Sequence, residues 1–198
     1  MKRIINIIIF SILPAVVIAA DKYDPYISLL GYKLEKSNLI EIKKALGEAP
    51  INRSGDAGGS YYGVCYLLPR HNITVYFESG EMGGNDHDLL SFVVKETKEE
   101  KLKCGVLPDI KPSALKVGVL SLGKDANSVK GKLPGPVKKT KHGFEHKNFG
   151  KRQFTEEDIK MNQVDDMKYA FWDVFTAIEV FTHNGKITGY KVYRVTSW

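Results

Sequence analysis

Oxygen ligands are densest between Glu78 and Asp88, where ESGEMGGNDHD sets Glu78, Glu81, Asp86 and Asp88 among three glycines and His87. Carboxylates at that density can hold calcium or face a basic partner. The spacing departs from the twelve-residue calcium loop, with its alternating ligands and terminal glutamate, so contact with a basic partner is the expected role. Glu78 and Glu81 lie three apart at a strand end, which does not establish the facing pair that glycoside chemistry needs. His142 and His146, four apart, would share a helix face and offer zinc two ligands. Gly143, Asn148 and Gly150 argue against a helix there. Ser54 to Gly59 is glycine-rich but lacks the lysine and following helix of a phosphate loop. Neither G-x-S-x-G nor H-E-x-x-H occurs. The residues therefore predict binding surfaces, with no catalytic group, no cofactor and no resident metal.

A second concentration of chemistry lies between Val137 and Met167. Lys138, Lys139, Lys141, Lys147, Lys151 and Arg152 alternate there with Phe144, Phe149 and Phe154. Cations interleaved with aromatics can grip an acidic protein face, lipopolysaccharide phosphates or a cell-wall polymer. Tyr61, Tyr62 and Tyr66 add candidate contacts, because tyrosine tolerates a wet end and is favoured at interfaces. The predicted partner-binding set is thus Tyr61, Tyr62, Tyr66, Glu78, Glu81, Asp86, Lys138, Lys139, Lys141, Lys147 and Arg152.

Lys2 and Arg3 precede an apolar stretch from Ile4 to Ala20 that ends in small residues, the pattern of a secretory signal peptide cleaved after Ala19 or Ala20. The stretch is too short, and too interrupted by Asn6 and Pro14, for a membrane span. No stable span is expected after processing. Export makes Cys65 and Cys104 a disulfide rather than a nucleophile or a metal pair. The net charge of +6 is well below the dense stripe of a nucleic-acid binder, which export excludes in any case.

These groups need positioning. Tyr62, Val64, Tyr66 and Leu68 alternate, as do Ile73, Val75 and Phe77, which predicts a hairpin turning at Pro69 to Asn72. Asn38 caps a helix with Leu39, Ile42 and Leu46 on one face, stopped by Gly47 and Pro50. Leu89 to Lys95 reads as a third strand. Residues 99–116 read as a connector carrying Cys104. The plan then restarts: Asp125, Ala126, Val129 and Leu133 repeat the cap and apolar spacing, and strands follow at Tyr169 to Thr176, Ala177 to Thr182 and Lys186 to Val195. Asn184-Gly185 marks the last hairpin. The expected fold is α+β: two tandem repeats over 21–98 and 117–198, each a helix packed on an antiparallel sheet of three or four strands, with a long loop at 137–167.

Leu39 to Pro50 (LIEIKKALGEAP) and Ser128 to Pro136 (SVKGKLPGP) resemble the helical element of the tandem-repeat fold of the β-lactamase inhibitor protein and the SmpA/OmlA-type envelope domains. The resemblance implies a non-enzymatic protein that binds other proteins through a concave sheet and its loops. Two features depart from it. The cysteines join the first copy to the connector, and no lipid-attachment cysteine follows the signal peptide. The expectation is an exported, periplasmic or secreted protein that recognises a protein partner, as an inhibitor or immunity protein. The alternative is envelope maintenance through lipopolysaccharide or peptidoglycan held by residues 138–152.

Overall fold

Alternation of apolar and polar residues decides most of this architecture. A computed structural model describes residues 21–55, 59–96, 103–107, 110–162 and 171–197. The expected signal peptide and Asp56 lie outside the described residues, as does the end of the expected 137–167 loop. After a small ladder of β1 (Ser28–Leu29) and β2 (Tyr32–Lys33), helix α1 runs Leu39–Leu46. Asn38 Oδ1 accepts the Glu41 N–H at 2.8 Å, so the predicted cap forms. Strands β3 (Asn52–Ser54), β4 (Tyr61–Leu68), β5 (Ile73–Gly80), β6 (Ser91–Lys95) and β7 (Gly105–Val106) follow. Helix α2 (Ala126–Lys130) is capped by Asp125, which accepts the Ser128 N–H at 2.8 Å. Then come β8 (Lys138–Thr140), β9 (Gly143–Gln153), α3 (Glu156–Asn162), β10 (Phe171–His183) and β11 (Lys186–Ser197).

The expected plan of two separate helix-on-sheet repeats is overturned. Among the described residues the strands form one nine-stranded sheet in the order β3-β4-β5-β6-β11-β10-β9-β8, with β7 beside β4. It is antiparallel except for the short β4–β7 pair. The reason is the direct pairing of β6 with β11, from Ser91↔Tyr193 to Lys95↔Gly189, which closes the boundary between halves with ladder hydrogen bonds. The helices have 8, 5 and 7 residues, too short to make a layer for each half. Two further expectations change. Strand β10 is continuous over the stretch read as two strands, and the stretch read as a loop holds the β8–β9 hairpin and α3.

One face of the sheet is covered. Val64, Phe77, Phe92, Val192, Ile178 and His146 stand opposite one another in a single row across six strands, all buried. Over them lie Leu39 and Ile42 of α1, Val129 of α2, Leu29 of β1, and Tyr26, Leu34, Leu115 and Leu120 from the connecting segments. His146 takes its place in this apolar row because both ring nitrogens are engaged. The Pro136 carbonyl can only accept, so Nδ1 donates to it at 2.8 Å, and Nε2 shares a hydrogen bond of 2.8 Å with the Tyr23 hydroxyl. Cys65 and Cys104 are bonded, with Cα atoms 4.6 Å apart, and tie the 103–107 segment to β4.

Two buried tyrosines give the core a pH limit. The Tyr66 hydroxyl donates to the Gly47 carbonyl at 2.9 Å and the Tyr190 hydroxyl to that of Leu115. Burial pushes Tyr66 up to about 12 and raises Tyr190 as well. Unfolded tyrosine ionises near 10. Above that pH the unfolded chain releases protons that the folded chain retains, so stability is present below pH 10 and is lost as pH rises toward the folded values. The urea midpoint should fall steeply above pH 10, and Tyr66→Phe should flatten that fall while costing about 1 kcal/mol at neutral pH. A midpoint in wild type unchanged from pH 8 to 11 would contradict this burial.

Candidate functional site

The opposite face of the sheet carries the odd-numbered side chains of β4, β9 and β10 and, from Gly189 onward, of β11, and much of it meets solvent. Small residues make a trough there. Gly80 stands opposite Tyr61, while Gly63, Glu78, Ser91 and Tyr193 occupy the next row. With Gly80 and Ser91 beneath and Tyr61 and Tyr193 at the sides, the trough has a volume of about 230 Å³. Tyr61 is 62% exposed, and burial together with Tyr61 raises the Tyr193 hydroxyl above its usual range.

Glu78, Glu81 and Lys191 bring charge to the trough's lining. Glu78 accepts from the Ser91 hydroxyl and pairs with Lys191 at 2.6 Å. Glu81 Oε1 accepts the Ser60 N–H at 3.1 Å, which ties the glycine-rich segment before β4 to the acidic loop. Both ties explain why these carboxylates are not simply solvated ends. From Tyr193 the aromatic surface continues outward. Its ring lies 5.8 Å from Phe175, and Phe175 lies 4.6 Å from Phe149. Phe149, Phe175 and Val195 are directly opposite one another across β9, β10 and β11. Phe149 is 82% exposed, and Phe171 near the same end is also exposed.

The remaining predicted contacts are divided by the fold. Tyr66 is corrected: it is fully buried, because its even position places it with Val64 and Leu68 on the covered face. Tyr62 also leaves the trough, stacking on His87 with centroids 4.2 Å apart while the Arg53 guanidinium lies over its ring. Asp86 is exposed in the loop after β5 and takes no part in the trough. Lys138 and Lys139 are exposed on β8, and Lys141 is exposed in the following turn. Lys147 pairs with Glu145 at 2.8 Å. Arg152 pairs with Asp158 at 3.0 Å.

That last pair belongs to a helix cap. Asp158 Oδ2 accepts the Thr155 N–H at 2.8 Å and Asp158 N–H donates to Thr155 Oγ1 at 3.2 Å. The Thr155 backbone bond first, then its hydroxyl and Arg152, hold the Asp158 carboxyl down to about 2 against the opposing effect of burial. Four strand spacings separate β5 from β9, roughly 19 Å. The acidic loop and the basic residues therefore do not converge on one site. Phe149, Phe175, Tyr193 and Lys191, none of them in the predicted contact set, connect the two regions. The period-two pattern of their strands could have identified them once the register was known.

No protein-family model matches the chain, and no curated protein matches it. Among solved structures it is similar to an extracellular protein containing a SCP domain from Bacillus anthracis str. Ames, with a TM-score of 0.39 and 10% identity. The match covers 82% of this chain and 48% of that one, so the chain spans about half the length of that protein. That likeness is too slight to argue from. Among the described residues no helix is long and apolar enough to cross a membrane.

Proposed function

We propose that this chain is an exported, non-enzymatic binding protein of the bacterial envelope, and that it recognises a protein partner through the open sheet face from Tyr61 to Phe149. An inhibitory or immunity role would follow from which protein it occludes. The observation that carries the reading is the aromatic ladder. Phe175 is held between Phe149 and Tyr193 in a chain of ring contacts while Phe149 and Tyr61 stay largely in water. Exposed large apolar groups are costly to solubility, and rigid aromatics beside a trough are the usual anchors of an interface. The disulfide supports an oxidising compartment.

The test is capture from an envelope extract. Wild type should retain one stoichiometric protein, and Tyr61→Ala combined with Phe149→Ala should weaken that complex by about 1,000-fold, from roughly 2 kcal/mol per anchor. Both side chains are exposed, so thermal stability should change by less than about 1 kcal/mol. Retention of the partner by the double variant would sink the reading. So would salt-sensitive recovery of lipopolysaccharide or sacculi alone, lost on Lys→Gln changes at 138, 139 and 141.

A further inference from the structure

Strand β9 is covered on its outer side over only part of its length. It pairs with β10 from Gly143 to Gln153, whereas β8 covers only Gly143 to Glu145. The sequence explains the shortfall. Pro134 and Pro136 lie just before β8, and a proline cannot donate to a ladder, so the chain leaves the sheet edge there. Among the described residues, no strand borders β9 beyond that point.

The register says which backbone groups are left open. Thr182 N–H donates to the His142 carbonyl at 2.8 Å, and His142 stands one place before the Gly143↔Phe181 pair. Because antiparallel hydrogen bonding alternates, the even residues of β9 bond β10 and the odd ones face outward. Lys147, Phe149, Lys151 and Gln153 thus present N–H and carbonyl groups at the edge, with their side chains on the open face. An unpaired edge of this length, with an exposed phenylalanine in its middle, is a template for another strand.

We infer that an extended, acidic segment of the partner protein adds to the sheet as a new strand along Lys147 to Gln153, in line with β8. This deepens, and rests on, the reading of the chain as a protein binder. Charge selects the occupant. Lys138 and Lys139 of β8 adjoin the position at its Lys147 end and have no ion-pair partner among the described residues, and Lys151 only loosely meets Asp173 at 3.9 Å. A second copy of this chain would bring its own lysine-rich edge, Lys147 and Lys151, against the same edge. A polysaccharide or lipid headgroup would leave the amide ladder unpaired. An acidic strand meets both demands, its main chain on the ladder and an apolar residue on Phe149.

The probe is an acetylated seven-residue peptide that alternates glutamate with valine and phenylalanine, titrated to millimolar concentration against the intact, oxidised protein. Binding should protect the amides of Lys147, Phe149, Lys151 and Gln153 from hydrogen exchange. N-methylation of the peptide's alternate amides, or replacement of its glutamates by lysine, should weaken binding by about tenfold or more. Lys151→Pro removes one outward N–H and no bond to β10, so it should weaken binding by a similar factor, while Lys151→Gln changes it far less. Tyr61→Ala should leave peptide binding intact, which separates failure of the edge from failure of the trough. No binding, or equal binding by the N-methylated peptide, would overturn strand addition even if Lys151→Pro failed to fold. A dimer of the free protein joined through β9 would overturn it as well.

Discussion

Replacing Cys65 and Cys104 together with alanine should lower stability by about 3 to 4 kcal/mol, and the melting temperature by roughly 10 °C. The bond closes a loop with a sequence separation of 39. Its removal restores to the unfolded chain the conformations that closure denies it. The folded state loses something too, because Cys65 is fully buried on β4 and the bond reinforces a short attachment of the 103–107 segment, made otherwise by the two-residue β7, the Leu107 N–H on the Leu67 carbonyl and the Asn52 amide on the Lys103 carbonyl. Urea unfolding of the variant and of dithiothreitol-reduced wild type should give the same reduced midpoint. A reduced protein as stable as the oxidised one would mean that the ladder of β4 with β5 holds this region unaided. Alanine suits position 65 better than serine, whose hydroxyl would be buried without an assured partner.

Phe92→Ala should be of equal or larger effect, about 3 to 5 kcal/mol. Phe92 is fully buried in β6, with Phe77 on one side and Val192 on the other. It stands in the strand that joins the two halves of the sheet, so neighbours cannot collapse into the vacated space without disturbing the ladder on both flanks. The comparison is Phe149→Ala, the same truncation on the opposite face, which should cost less than about 1 kcal/mol because that ring is mostly in water. Equal losses at the two positions would contradict the burial of one face and the exposure of the other.

Local signals in this sequence were reliable wherever they were self-contained. Asn38 and Asp125 cap helices because a side-chain oxygen three residues before a free N–H needs no distant partner. The β4–β5 hairpin and the Asn184-Gly185 turn, with φ of 49° and 74°, are equally local. The bonded cysteines followed from the export signal. What failed depended on pairing between distant strands. Nothing in Ser91 to Lys95 announces that it will lie beside Gly189 to Tyr193, so the halves looked separate. Strand β9 is hidden in the sequence because Gly143, Gly150 and the basic residues around them interrupt the apolar alternation begun by Phe144 and the buried His146. Tyr66 was a contact candidate by residue type alone, although its spacing from Val64 and Leu68 already placed it with the core. The trough could not be read at all, since it exists only where β4, β5, β6 and β11 are side by side.

The meeting of β6 and β11 also has a kinetic consequence. The hairpins β4–β5 and β10–β11 close over short loops, but Ser91 and Tyr193 can meet only after the whole intervening chain has been drawn in. Docking of the two halves is therefore the slow, high-contact-order step of folding. Until it happens β6 and β11 are apolar strands with bare sides, the species most prone to clump, so refolding yield should fall with protein concentration and recover when a holding chaperone is supplied.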